Sequence, residues 1–135
     1  MMNAQYLLDT NICVFLFRGK YDINKKISQV GWNNCCISEV TVAELKYGVE
    51  CCSNPLANET ILKAFLEKIT IIPFATAIDR YAEEKAKLRK AGKLVDDFDL
   101  FIACTASANN LVMVTDNEKH FDRISKLTVI NWIER

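Results

Sequence analysis

Apolar residues in this chain arrive in short runs, separated by longer stretches with helical spacing. The run YLL (6–8) stops at Asp9, and residues 10–17 then read as a helix that Arg18-Gly19 ends. In residues 22–30, Ile23, Ile27 and Val30 share one helical face before Gly31. The run CCIS (35–38) reads as a strand, and residues 39–50 as a helix capped by Ser38 or Thr41, with Thr41 and Glu44 at capping-box spacing. Pro55 suits a helix start, residues 56–68 are helical in pattern, and ITIIP (69–73) is a second β-rich run. A long helix is predicted over 75–91, a loop over 92–97 and a helix over 98–109. The runs LVMVT (111–115) and TVINW (128–132) complete the strands.

The strand runs are continuously apolar rather than alternating, which is the mark of strands covered on both faces. Strands alternating with helices then predict a three-layer α/β/α domain around a mainly parallel sheet. With no repeat and no linker, one domain over 1–135 is expected.

Composition narrows the chemistry. Half the residues are apolar and 25% are charged, an ordinary folded balance. The 17 basic and 17 acidic residues cancel, so any nucleic-acid footprint must be local. The 6 cysteines form no CxxC pair and the chain has 1 histidine, which argues against a Cys/His metal site. The cysteines sit mostly in apolar surroundings as small hydrophobes, consistent with a reducing cytoplasm. MMNAQYLLD lacks the pattern of a signal peptide, and no apolar run approaches the ~18 residues of a membrane span.

Parallel sheets bind ligands at the carboxyl ends of their strands. Asp9 follows the first strand directly and Asp116 follows 111–115 directly. Glu44 lies one turn inside the helix after the second strand, and Asp99 opens the helix before the fourth. Acids from four segments therefore reach one rim. Clustered carboxylates raise one another's pKa, and a divalent cation relieves that cost. Mg²⁺ or Mn²⁺, which favour hard oxygen ligands, suit such a set and can support phosphodiester hydrolysis. Each acid also suits a helix start on its own, by capping or by complementing the dipole, and Asp96 and Asp97 illustrate that alternative.

The segments LLDTN (7–11), SEVTVAELKYGV (38–49), VDDFDLFIACTA (95–106), LVMVTDN (111–117) with HF (120–121), and VINW (129–132) resemble, in order and spacing, the VapC-type toxins. These are PIN-domain ribonucleases of bacterial toxin–antitoxin pairs. The resemblance implies that Asp9, Glu44, Asp99 and Asp116 are the catalytic, metal-holding acids, the last at a position that is Asn in many members. It implies Asn11, Thr115 and Asn117 as accompanying polar residues and Mg²⁺ or Mn²⁺ as cofactor. Asp96-Asp97 is a departure where members often carry Gly or Pro, with Asp97 expected near the metal without ligating it.

The implied activity is cleavage of structured RNA, with tRNA, and specifically the initiator tRNA anticodon loop, as the leading substrate. Ribosomal or messenger RNA is the alternative target, and a catalytically inactive PIN-fold binding module the alternative role. A phosphoryl-accepting receiver domain would need paired acids after the first strand and a Lys after the last, whereas the first strand ends in a single Asp and LVMVT is followed by Asp. The family also implies a homodimer and a VapB-like antitoxin laid in a groove, for which Phe15, Phe17 and Trp32 are candidates. RNA requires positive charge near the acids. The run 85–93, with Lys87, Arg89 and Lys90, together with Lys46, supplies the predicted contacts. His120 is expected to be structural, because the implied chemistry does not require it.

Overall fold

The structure is a computed structural model that describes residues 5–135; the stretch 1–4, over which no leader pattern was read, lies outside the described residues. The chain runs β1 (Tyr6–Leu8), α1 (Thr10–Phe17), α2 (Ile23–Val30), β2 (Cys35–Ser38), α3 (Glu39–Cys51), α4 (Pro55–Lys68), β3 (Thr70–Ile72), α5 (Ile78–Lys90), α6 (Asp97–Ala108), β4 (Val112–Val114) and β5 (Thr128–Ile130). Short 3₁₀ turns occupy Trp32–Asn34, Phe74–Ala77 and Glu118–Phe121.

The strands form a 5-stranded sheet in the order β3-β2-β1-β4-β5, every neighbouring pair parallel. Alternate strand residues feed opposite layers. Leu7, Cys36 and Met113 pack with Leu88 of α5 and Leu100 and Ile102 of α6. Leu8, Cys35, Ile37 and Val114 pack with Ile12 of α1, Ile23 and Ile27 of α2, and Leu62 and Phe65 of α4. This is the predicted three-layer α/β/α arrangement. Leu7 and Leu8 are fully buried on opposite faces, so truncating either to Ala costs about 2–5 kcal/mol. Cys13, Cys35, Cys36 and Cys104 are buried with their thiols pushed up by burial, the behaviour of small hydrophobes. No helix among the described residues is long and apolar enough to cross a membrane.

The strand order positions the site. From β1 the chain builds outward to β2 and β3, then crosses back to β4 and β5 on the other side of β1. The order therefore reverses between β1 and β4, and a crevice opens past their carboxyl ends. Asp9 and Thr115 are the residues that follow those two ends.

Two local expectations are corrected and one open choice is settled. The helix predicted from 75 starts as a 3₁₀ turn, because the Pro73 carbonyl accepts hydrogen bonds from the Thr76 N–H (3.2 Å) and hydroxyl (2.7 Å) and holds that turn tight. Ser38, not Thr41, caps α3 by accepting from the Thr41 N–H at 3.1 Å. The helix predicted from 98 begins at Asp97, with the Asp96 carboxylate accepting from the Phe98 N–H at 3.2 Å.

Candidate active site

Asp9 continues the β1–β4 ladder by one residue: its N–H donates to the Val114 carbonyl at 2.9 Å, which sets it beside Thr115. Its Oδ1 accepts from the Thr10 N–H and its Oδ2 from the Thr115 hydroxyl, both at 2.8 Å. Asp9 is thus the N-cap of α1 and also a carboxylate at the rim, only 5% exposed. The two readings of its sequence position describe one residue.

The expected polar residues surround it. The Thr115 hydroxyl accepts from the Asn117 N–H (3.1 Å) and from the Asn11 amide (3.4 Å). The Asn11 carbonyl oxygen in turn accepts from the Asp116 N–H at 3.4 Å. Asn11, Thr115 and Asn117 therefore lock the ends of β1 and β4 together around Asp9, with Asn117 acting through its backbone.

Glu44 projects from α3 toward α1. The Thr10 hydroxyl donates to Glu44 Oε1 at 2.7 Å and lies 3.0 Å from the Thr41 hydroxyl. Thr10 has a single proton to give, so Thr41 donates to Thr10, and the chain Thr41–Thr10–Glu44 fixes the carboxylate. Asp99, in the first turn of α6, has Oδ2 3.0 Å from Nε2 of His120, which rides on the 3₁₀ turn after β4. The sequence pattern gave Thr10 and Thr41 no role beyond capping and did not link His120 to Asp99. A Thr after an Asp looks like part of a cap, and the true partners of Thr10 lie 31 and 34 residues away.

The electrostatics separate the acids into two sets. Burial pushes the Asp9 carboxyl up from 3.8 to about 6; hydrogen bonds from Thr115 and Thr10 oppose this, and the charges of Asp99 and Glu44 add to it. Glu44 is also raised, first by burial and further by the charges of Asp99 and Asp96. Asp9, Glu44 and Asp99 thus share one electrostatic field. Asp116 behaves differently. Arg135 grips it with two hydrogen bonds, Nη1 to Oδ1 at 2.7 Å and Nη2 to Oδ2 at 2.6 Å, and Asn131 adds a third at 3.2 Å. Arg135 holds that carboxyl below its ordinary value. Asp97 is likewise lowered by Lys85 at 2.8 Å, supported by the Tyr81 hydroxyl, so its charge is spent on α5.

Among the described residues, no three His, Cys, Asp or Glu side chains stand close enough to enclose a metal ion directly. The donor chemistry of Asp9, Glu44 and Asp99 nevertheless fits a small hard cation. All are oxygen donors, the charge of Asp99 raises the proton affinity of both Asp9 and Glu44, and neither Asp9 nor Glu44 forms an ion pair among the described residues. Mg²⁺ characteristically keeps several waters and takes one or two carboxylates directly, so a wide rim suits it.

The predicted RNA contacts are more dispersed. Lys46 lines an outer depression between α3 and α4 with Tyr47, Glu50, Glu59 and Lys63. Lys87 leans toward Glu84 at 3.9 Å, and Arg89 and Lys90 are exposed in the last turn of α5. A groove of about 280 Å³ runs between α1, α3 and α4, lined by Val14, Phe17, Leu45, Val49 and Ile61, with Thr10 and Glu44 also on its wall. Of the aromatic candidates, Phe17 lines this groove. Trp32 joins Phe17 and Phe65 in the adjoining depression, while Phe15 packs edge-on against Tyr21 at 5.0 Å.

A parallel three-layer fold with an acid buried at its switch point is the architecture of a PIN domain, and the PIN domain family pattern matches residues 6–127. The chain is 37% identical over 130 residues to "Ribonuclease VapC2" of Rickettsia felis, covering 94% of this chain and 97% of that one. It is 32% identical over 129 residues to "tRNA(fMet)-specific endonuclease VapC" of Shigella flexneri, covering 95% and 98%. Among solved structures, VapBC2 from Rickettsia felis bound to a DNA fragment from its promoter matches with a TM-score of 0.88 at 35% identity, covering 94% of this chain and 98% of that one. The chain belongs to the PIN-domain family and is closely related to the VapC toxins of type II toxin–antitoxin systems.

Proposed function

We propose that this chain is a Mg²⁺- or Mn²⁺-dependent endoribonuclease toxin that cuts structured RNA, with the initiator tRNA anticodon loop as its leading substrate. The observation that carries the reading is Asp9. A carboxylate 5% exposed at the switch point, raised to about 6 and facing the charges of Glu44 and Asp99, is costly without a cation. The relatives' names, ribonuclease and tRNA(fMet)-specific endonuclease, point to the same chemistry.

In this reading Asp9, Glu44 and Asp99 hold the ion, with Asp116 at the edge of the set. The bound ion would supply Lewis acidity and a water of lowered pKa at the scissile phosphate. The rest is positioning by the chain. Thr115 and the Thr10 N–H fix both oxygens of Asp9, the Thr41–Thr10 hydroxyl chain fixes Glu44, and His120 orients Asp99. Holding these groups in place before substrate arrives removes reorganisation from the barrier. The groove beside Glu44 is the proposed seat of a VapB-like antitoxin segment. A basic side chain entering from it would meet carboxylates with charge to share. A homodimer is part of the same proposal.

The test is incubation of purified protein with initiator tRNA, ribosomal RNA and messenger RNA, with Mg²⁺ or with a chelator. Cleavage of tRNA at a single site, abolished by chelator and by Asp9→Asn, is expected. Cleavage confined to ribosomal or messenger RNA would reassign the substrate. Binding without cleavage of any RNA would leave a PIN-fold binding module.

A further inference from the structure

Arg135 stands outside every motif singled out in the sequence, yet its guanidinium is the most firmly built cation at the rim. Both of its terminal nitrogens are seated on Asp116, and Asn131 braces the same carboxylate. The guanidinium also lies over the Tyr21 ring, 5.4 Å from its centroid. Asp116 is tied to the catalytic end of the sheet, since its own N–H donates to Asn11 and its neighbour Thr115 donates to Asp9. Despite these attachments the Arg135 side chain is 57% exposed, against 16% for Asp116.

A guanidinium has five N–H donors, and the fork to Asp116 uses two of them. The exposure of the side chain leaves donors open to a ligand at a rim whose acids repel phosphate. Two basic residues of the run 85–93 are already engaged. Lys85 is spent on Asp97, and Lys87 leans on the buried Glu84. Beyond Arg135 lies a cleft of about 260 Å³ lined by Tyr21, Lys25, Lys26 and Trp132, so a strand leaving the rim meets further cations and an aromatic face. Lys26 is engaged there by Glu134 at 3.7 Å, and Asp22 also lines the cleft, which leaves Lys25 as the second phosphate partner.

We propose that Arg135 binds a backbone phosphate of the RNA strand next to the scissile bond, and that Asp116 is the positioning residue that holds Arg135 for it. This rests on the ribonuclease reading. It gives Asp116 a role distinct from metal ligation, because three hydrogen bonds from Arg135 and Asn131 already occupy most of its acceptor positions. Arginine is suited to the task, since its planar fork binds carboxylate on one edge and phosphate on another.

The test measures RNA binding without metal, by fluorescence anisotropy with a labelled tRNA anticodon stem-loop in chelator, on the full chain carrying Asp9→Asn to prevent cleavage. Salt is varied. Adding Arg135→Gln is expected to weaken binding about tenfold, the scale of one charge-assisted hydrogen bond removed. It should also lower the log–log salt slope by about 0.7, the value for one phosphate on a single strand. Arg135→Lys should restore the slope but only part of the affinity. Asp116→Asn should weaken binding as Arg135→Gln does, and the double variant should be no worse than either, which a merely structural Asp116 would not produce. Unchanged affinity and slope in Arg135→Gln overturn the proposal while leaving the ribonuclease reading standing. So does tighter Mn²⁺ binding by Arg135→Gln with RNA binding unaffected, which would make Arg135 a plug on a metal-binding Asp116. No binding of the stem-loop by the parent at any salt also overturns the proposal, while the ribonuclease reading is decided separately by the cleavage assay on the three RNA classes.

Discussion

Asp9 and Asp97 are both aspartates at the start of a helix, one at α1 and one at α6, yet the fold treats them oppositely. Asp9 is buried, takes its hydrogen bonds from neutral donors, faces other acids and is raised to about 6. Asp97 is exposed, takes its hydrogen bonds from Lys85 and Tyr81, and is lowered. Asp116 follows the Asp97 pattern, with Arg135 as its cation. The local sequence of an acid therefore does not decide its role; whether the chain supplies its counter-charge does. Glu44 and Asp9 lack a cation from the chain among the described residues, and in the proposed function a metal ion fills that deficit.

The comparison is broken most severely at Asp9. Asp9→Asn keeps the shape and removes the charge, and cleavage should fall by roughly 10²-fold or more, the scale seen when one preorganised electrostatic group is removed. A discontinuous cleavage assay on purified protein checks this.

The same substitution should have the opposite effect on stability. Because the folded carboxyl is raised from 3.8 to about 6, the folded state holds this proton more tightly than the unfolded chain does. The penalty is absent below the unfolded value, grows as pH rises between the two, and is complete above the folded value. At neutral pH without metal, Asp9→Asn should therefore be more stable than the parent by about 1–3 kcal/mol, with the advantage gone in acid. Urea unfolding at the two pH values measures both. Mg²⁺ should stabilise the parent at neutral pH and much less at about pH 4, where Asp9 is protonated. Equal thermal shifts at both would assign the ion to another place.

Smaller effects sharpen the contrast. Neutralising Lys87, Arg89 and Lys90 together should lower the salt slope of RNA binding by about 0.7 for each phosphate that these side chains neutralise. An unchanged slope makes them a solvated helix end. Asp97→Asn should leave cleavage within about twofold, as expected for an exposed ion pair away from the reacting groups.

Much of the scaffold was legible because it is local. The helix over 10–17 is α1 as read, and Ile23 and Ile27 of the next helix are buried as their spacing implied. The continuous apolar runs marked strands covered on both faces for β1, β2 and β4, whereas the edge strands β3 and β5 leave Thr70, Ile71 and Thr128 exposed. Asp9 was legible as a rim acid because it ends such a run. What sequence did not show is the pairing of charges across long separations. Nothing in TDN (115–117) signals that Arg135 will take Asp116, 19 residues on. Lys85 looked like part of a basic run, until the packing of α5 against α6 brought it to Asp97. Thr10 looked like a capping residue, and only the approach of α3 to α1 makes it the donor to Glu44. Glu84 fell on the long helix predicted over 75–91, and its burial against Ser125 has no local signal.

The most direct test of a rim short of positive charge is calorimetric titration of Mn²⁺ into metal-free protein at neutral pH, comparing the parent with Asp9→Asn and Asp97→Asn. The expected result is saturable binding in the parent, retained in Asp97→Asn and abolished in Asp9→Asn. Binding of equal strength in the parent and in Asp9→Asn would contradict the assignment of the cation to the Asp9, Glu44 and Asp99 rim.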